Sequence, residues 1–409
     1  MKKTLVSLAA VAALTTGAMA ADKGIDFVTT GEATIYYETT DNGNVANSDD
    51  TLFGKTESKA NFAFQINNDA DLGNGFALGS QLTFLGTSGL TTSSVSNVAQ
   101  NNTSGDEVTL TKINLTKKVG NTTVKLGRQE LPKSLSPFAF SEKWNVYKNT
   151  FDAVLVVNSD IPGVTLVGAI VGTTNSSKDV GAWTDLVVKT QGGVTTTAEG
   201  AYMLTAQTAA IPMTTLTASY YQLGQVITNP LGIDDERATA LWVDAKLAGK
   251  SMPLGLKIGL QGGSITPDGT GLDATNAMGV KLGLAPTDGL NLCFAYSTVD
   301  DGSVQIRNAG TGVKTPLYTQ LIKNQDYISK DNDTLMVRAA YKLGGTSKII
   351  LQASSTTDNS AAENDATDIE LVYKVKAGGV NMLAGLFNTK MSNDDSAKNY
   401  VRLVARYAF

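Results

Sequence analysis

The stretch Val401-Arg402-Leu403-Val404-Ala405-Arg406-Tyr407-Ala408-Phe409 decides the fold. In an extended strand successive side chains point to opposite faces, so these residues separate with period 2. Val401, Leu403, Ala405, Tyr407 and Phe409 form one face, and Arg402, Val404, Arg406 and Ala408 the other. The first face is apolar and ends in two aromatics; the second carries two arginines. A strand that is apolar on one side and cationic on the other suits a closed barrel with lipid outside and water inside. An ordinary amphipathic edge strand shares the pattern, so the rest of the chain has to decide between them.

Upstream, the alternation returns in runs of about ten residues. Strands are expected near residues 32–39, 59–66, 76–84, 108–119, 122–129, 151–158, 164–172, 198–210, 214–225, 238–247, 254–261, 278–284, 290–296, 335–342, 347–354, 369–376 and 381–388, followed by the terminal one. The phase of 108–119 breaks near Lys112, as a bulge would make it. Tight turns are marked by Asn74-Gly75, Gly120-Asn121, Ile161-Pro162-Gly163, Pro286-Thr287-Asp288-Gly289, Gly344-Gly345 and Gly378-Gly379. Between these turns lie long polar connections, at 41–52, 89–105, 173–197 and 300–333 among others. Short and long connections therefore alternate, as in outer-membrane barrels. The reading is an all-β, antiparallel transmembrane β-barrel of about 18 strands, with 16 or 20 if one hairpin is miscounted. A solenoid would need a fixed repeat, and none is found.

Composition agrees. Lys2 and Lys3, an apolar run over 5–14 and Ala18-Met19-Ala20 read as a signal peptide, residues 1–20, with 21–409 as the barrel. The precursor carries a net charge of -5, and losing two lysines would make it about -7, which argues against a nucleic-acid partner. Mean hydropathy is -0.05, as expected where only alternate residues meet lipid. The chain has 0 histidines and 1 cysteine, Cys293. Hydrolysis through a histidine base, imidazole zinc sites and internal disulfides are thereby excluded. A carboxylate hydrolase is not excluded by this, but no acid pair stands in a distinctive context.

The third long connection, 130–150, differs from the others. It holds Leu135, Pro137, Phe138, Phe140, Trp144 and Tyr147 among Glu142, Lys143 and Lys148. Burying such rings is favourable by roughly 1.5–3 kcal/mol each, and the shelter on offer is the lumen. An inward-folded third loop is expected, narrowing the pore with Arg128, Glu130, Lys133, Glu142, Lys143 and Lys148. Strand phase places Lys125, Lys257, Lys281, Arg338, Lys342, Glu370, Lys374, Arg402 and Arg406 on the lumen wall, with Glu32, Glu38 and Asp244 as further inward acids. The wall is basic and the outer loops acidic, so the ion preference stays open.

Two resemblances follow from these residues. The terminal Phe409, with Tyr407 two before it, resembles the C-terminal assembly signal of bacterial outer-membrane barrels, read by the barrel-assembly machinery. Gly127-Arg128-Gln129 ahead of the third loop resembles the general bacterial porins, in which that arginine lines the constriction. With Asn149-Thr150-Phe151-Asp152 reopening the sheet, the chain looks most like the major outer-membrane porins of Campylobacter and related bacteria. The resemblance implies an outer-membrane homotrimer, passive diffusion of ions and small hydrophilic solutes, no organic cofactor, and room for bound calcium. Two departures stand out: the loop lacks the Pro-Glu-Phe-Gly-Gly tip, and Arg128 falls in phase with Val124 and Leu126, which should face lipid. The alternative is a barrel acting mainly as adhesin or receptor through its long acidic loops at 173–197 or 300–333.

Overall fold

The computed structural model of the chain describes residues 25–41, 51–101, 106–143, 145–175, 179–189, 195–227, 236–269, 271–394 and 396–409. The expected leader, 1–20, lies outside them, as does Trp144. Eighteen long strands run in sequence: β1 Phe27–Asp41, β2 Ser58–Gly73, β3 Phe76–Gly86, β4 Glu107–Val119, β5 Thr122–Gln129, β6 Phe151–Asn158, β7 Val164–Asn175, β8 Ala201–Thr208 and β9 Thr214–Ile227. They continue with β10 Glu236–Ala248, β11 Lys257–Pro267, β12 Thr275–Thr287, β13 Leu290–Val299, β14 Asn332–Gly344, β15 Ser347–Asp358, β16 Ala366–Ala377, β17 Val380–Met391 and β18 Lys398–Ala408. Each pairs antiparallel with the next, and β18 returns to β1 from Glu32↔Ala408 to Asp41↔Asn399. The result is a closed 18-strand barrel without an open edge, of the kind the alternating pattern predicts.

The period-2 pattern sorts the side chains. Ile35, Leu126, Leu204, Leu260, Met278, Leu351, Leu386 and Leu403 stand exposed on the outer face. Thr34, Thr83, Thr205, Ser219, Gln352 and Arg402 are buried on the inner one. The expected bulge is present: Gln81 pairs with Lys112 and Leu82 with Leu110, leaving Thr111 as the extra residue. Its hydroxyl turns inward to meet Thr83 Oγ1 and Gln81 Oε1, each at 2.7 Å.

Three of the long connections fold into the barrel through their described residues: L3 (130–150), L4 (176–200) and L7 (300–331). Leu131 and Phe138 of L3, Leu186 and Val188 of L4, and Val304, Ile306 and Leu317 of L7 share one apolar cluster with inward-facing Val171, Tyr221 and Trp242. The third loop is inward, as expected. L4 and L7 correct the sequence reading, which sent them outward as acidic loops: Val180, Leu186 and Val188 of L4 and Val304, Ile306, Leu317, Leu321 and Ile328 of L7 are buried.

The seam is fastened by the last residue. Gly31 N–H donates to Phe409 O at 2.8 Å, and Phe409 N–H donates to Gly31 O at 3.0 Å. The Phe409 ring stacks on Phe64 at 5.4 Å and Tyr407 at 6.2 Å between centroids. It occupies the space above Gly31, where a Cβ would lie 2.2 Å from the ring. In urea unfolding of the folded barrel, Gly31→Ala is expected to cost about 1–3 kcal/mol through overpacking. The cost should shrink in a Phe409→Ala background, because methyl and ring compete for one space. Equal costs in both backgrounds would show that they do not.

Candidate functional site

The lumen is organised around Glu38, which β1 points inward and which is 1% exposed. Arg402 of β18 reaches its carboxylate at 2.5 Å, Lys59 of β2 at 2.9 Å and Lys323 of L7 at 3.0 Å. Tyr36 O–H donates to it at 3.3 Å. Unpaired, a buried carboxylate is costly; three cations and a hydroxyl make this one tolerable. Lys323 therefore carries the tip of L7 across the lumen to the β1 wall. The tip has a second seat on Glu370 of β16, which accepts the backbone N–H of Ile322 at 2.8 Å and of Lys323 at 2.7 Å. Gln352 donates to the other Glu370 oxygen and accepts from Arg338 Nε at 2.6 Å.

L3 is tied down at both ends. Arg406 donates to Glu32 Oε1 at 3.0 Å, Val146 O at 2.6 Å and Asn145 O at 2.9 Å. Lys143 reaches Glu32 at 2.8 Å. Glu130 pairs with Lys148 at 2.5 Å and with Lys112. Lys133 donates to Thr315 O of L7 at 2.7 Å. Glu142, expected to narrow the pore, is buried at 5% exposure. It lies under L7, accepting Asn308 Nδ2 at 2.6 Å, Thr311 Oγ1 at 2.6 Å and Lys314 N–H at 3.2 Å. It is a clasp between two loops.

Arg128 is the clear correction. Its neighbours Gln129 and Ala153 are buried on the inner face, so Arg128 and its register partner Asp152 turn outward. Gly127 has φ +112 but the pairing stays consecutive through it, so no bulge re-aims the arginine. Arg128 donates to both Asp152 oxygens at 2.9 and 3.1 Å and to Leu110 O at 2.9 Å, and its guanidinium lies 3.5 Å over the Trp183 ring. It fastens the root of L4 to the sheet and does not line the lumen.

Among the cavities, three are lined by the charged residues of the lumen. One of about 610 Å³ is lined by Lys342, Lys348, Lys374, Lys376, Asn381, Arg402 and Arg406, at the rim of short turns. One of about 400 Å³ lies against β9–β12 under L7, with Lys133, Trp242, Asp244, Lys246, Lys281 and Tyr318. There Tyr318 O–H donates to Asp244 at 2.8 Å and Lys281 sits 4.0 Å over the Tyr318 ring. A third, of about 490 Å³, borders Glu32, Lys112, Glu130, Lys143 and Lys148. Lys342 is in register with Lys348, and Lys348 with Lys374. Like charges directly opposite repel, and among the described residues none of the three has a carboxylate within ion-pair distance. Lys125 sits inside on β5 beside Lys112, and Lys257 at the exposed start of β11.

Sequence reasoning missed Lys314 and Lys323. The Lys314 amine donates to Leu321 O at 3.0 Å, Ile322 O at 2.9 Å and Gln325 Oε1 at 3.0 Å. Burial lowers this loop amine to about 8, against the pull of Glu142. Burial lowers Lys323 to about 7, with Glu38 opposing. The signal that could have found them is the apolar set Val304, Ile306, Leu317, Leu321 and Ile328, the same kind that marked L3. As for calcium, among the described residues no three acidic or sulfur side chains converge to hold a cation.

The fold and its inward loops define a class, the large closed antiparallel single-chain β-barrels. No family model matches the chain, and no curated protein matches it. Solved structures do. The BenF-like porin of Pseudomonas fluorescens Pf-5 superposes with a TM-score of 0.75 at 14% identity, over 94% of this chain and 98% of that one. OccK8 (OprE) of Pseudomonas aeruginosa gives 0.72 at 14%, over 94% and 98%. Acinetobacter baumannii OccAB3 gives 0.71 at 15%, over 94% and 99%. At such identities the likeness establishes the fold.

The clasp is testable. Glu142→Ala leaves three donors without their acceptor and is expected to lower stability by about 1–3 kcal/mol. Trypsin should then cut within 300–331 faster than in the parent. Glu142→Gln keeps one acceptor oxygen and should lose less. An uncut L7 in the alanine variant would show that the loop stands without it.

Proposed function

We propose that this chain is an outer-membrane porin through which ions and small hydrophilic solutes diffuse passively, with a preference for anions. The observation that carries the reading is a closed barrel, apolar outside, whose cavities are walled by charged residues. The row Lys342–Lys348–Lys374, with no acid partner among the described residues, supplies the sign. Rings of fixed charge set ion preference in pores. The filter is assigned jointly to L3 and L7, through Lys143, Lys148, Lys133, Lys323 and Glu38. The pore-lining role expected of Arg128 is withdrawn, and Glu142 acts through the loop clasp. A leader at 1–20, a homotrimer, recognition of Tyr407 and Phe409 by the barrel-assembly machinery, and the nearer kinship with Campylobacter porins belong to the same reading. They rest on the residues quoted for them.

One structure of the same fold is OpdK of Pseudomonas aeruginosa with vanillate, at 14% identity and a TM-score of 0.72. A small aromatic acid of that kind suits the cavity where Lys133 and Lys281 flank Trp242 and Tyr318. The adhesin reading is not favoured, since the two loops it would use are largely folded into the barrel.

The test is single-channel recording of the folded barrel in a KCl gradient. The parent is expected to show discrete openings and a reversal potential of anionic sign. Lys348→Glu and Lys374→Glu together should move that potential toward cations, and Arg128→Ala should leave it unchanged. A cation-selective parent would overturn the sign. A folded barrel without openings would overturn the porin.

A further inference from the structure

The cavity of about 610 Å³ is short of acids. No aspartate or glutamate lines it, while Lys143, Arg402 and Arg406 share its wall with Lys342, Lys348, Lys374 and Lys376. The first three are answered by acids outside the lining: Lys143 and Arg406 by Glu32, and Arg402 by Glu38. The four lysines are not, for none has a carboxylate within ion-pair distance among the described residues. Glu370, on the same strand as Lys374 and Lys376, has both oxygens engaged, one by the backbone N–H groups of Ile322 and Lys323 and the other by Gln352. Lys348 stands in register between Lys342 and Lys374. Side chains so paired are about 4.5–5.5 Å apart at Cβ, and like charges there destabilise the sheet. Strand parity keeps these lysines inside, because the alternate residues Leu343, Leu351 and Tyr373 stand exposed on the outer face. Ile322 of the L7 tip borders the cavity at one end, and Gly345, Thr346 and Ser347 of the β14–β15 turn border it at the other.

We propose that this row is a seat for a small, multiply charged oxyanion, which enters from the short-turn side, bridges neighbouring lysines and stays long enough to obstruct the pore. The proposal rests on the anion-porin reading above and names the solute class that the row tells apart. An anion of one charge answers one ammonium and leaves the others repelling each other. An anion with charges on several oxygens answers two or three at once, with a charge-assisted hydrogen bond to each. Lysine suits that use, being a flexible point charge with three donors. Conduction needs binding weak enough to release, so monovalent anions pass the row and multiply charged ones are retained. An anion that binds only the folded barrel also stabilises it, which gives the seat a readout independent of current.

The probe is inorganic pyrophosphate, with acetate at equal ionic strength as the monovalent control. In single-channel recording of the full-length folded barrel, pyrophosphate is expected to interrupt the chloride current, at lower concentration from the short-turn side than from the long-loop side. Lys348→Gln together with Lys374→Gln removes two charged contacts and should raise the blocking concentration on the order of a hundredfold. Lys374→Arg keeps the charge and should be blocked like the parent. The second readout is urea unfolding. Pyrophosphate should raise the midpoint of the parent and leave that of the double glutamine variant in place. Without pyrophosphate the double variant should unfold at a higher midpoint than the parent, because the repulsion is gone; two lysines with a merely structural role would give the reverse. Pyrophosphate without effect on current or midpoint, acetate that acts equally, block that favours the long-loop side, or block that survives the double substitution would each overturn the seat while leaving the porin. A folded barrel that pyrophosphate stabilises but that never opens would keep the seat and overturn the porin.

Discussion

Everything in this molecule depends on the pairing of β1 with β18. A sheet in lipid must satisfy every backbone N–H and C=O from within, so it cannot keep an edge. Closure from Glu32↔Ala408 to Asp41↔Asn399 achieves that, and the mutual hydrogen bonds of Gly31 and Phe409 finish it. Gly31 serves there as the absence of a side chain: the terminal ring lies where a Cβ would be. Once the circle is closed, strand parity assigns every other side chain to lipid or lumen.

A circle of this size encloses more space than its own inward side chains can fill. Loops L3, L4 and L7 enter that space, and their entry creates the electrostatic problem the lumen then solves. Glu38, Glu142 and Glu370 are buried by the loops, and each is answered by donors that those loops or the facing strands bring. Apolar contacts explain why the loops stay inside, with Phe138 against Tyr221 and Trp242 at 5.7 and 5.5 Å. The buried carboxylates explain why they stay in one arrangement, because each needs the donors that this arrangement brings.

The strands were legible because period 2 is a local signal, repeated in every run from Ala33-Ile35-Tyr37 to the last nine residues. Even the bulge at Thr111 left its mark as a broken phase. L3 was legible because its aromatics are dense. L7 was not, because Val304, Ile306, Leu317, Leu321 and Ile328 are spread through a segment whose ends are acidic. Its decisive contact joins Lys323 to a residue 285 positions earlier. No local pattern encodes that separation; it exists only after the barrel has closed and brought β1 opposite the loop tip.

Arg128 shows which kind of sequence evidence should prevail when two conflict. A short motif placed it in the constriction, while alternation with Val124 and Leu126 placed it outside. Alternation is a geometric necessity of extended backbone, whereas a motif carries a role only if its surroundings are carried with it. Escape would have needed an extra residue in the strand, and the ladder from Lys125↔Leu155 to Gln129↔Phe151 is unbroken. A guanidinium facing outward must then find partners near the sheet, and Asp152, the Leu110 carbonyl and the Trp183 face provide them. The arginine that looked like a pore residue holds L4 to the sheet instead, on the face opposite to the one where its charge could act on a solute.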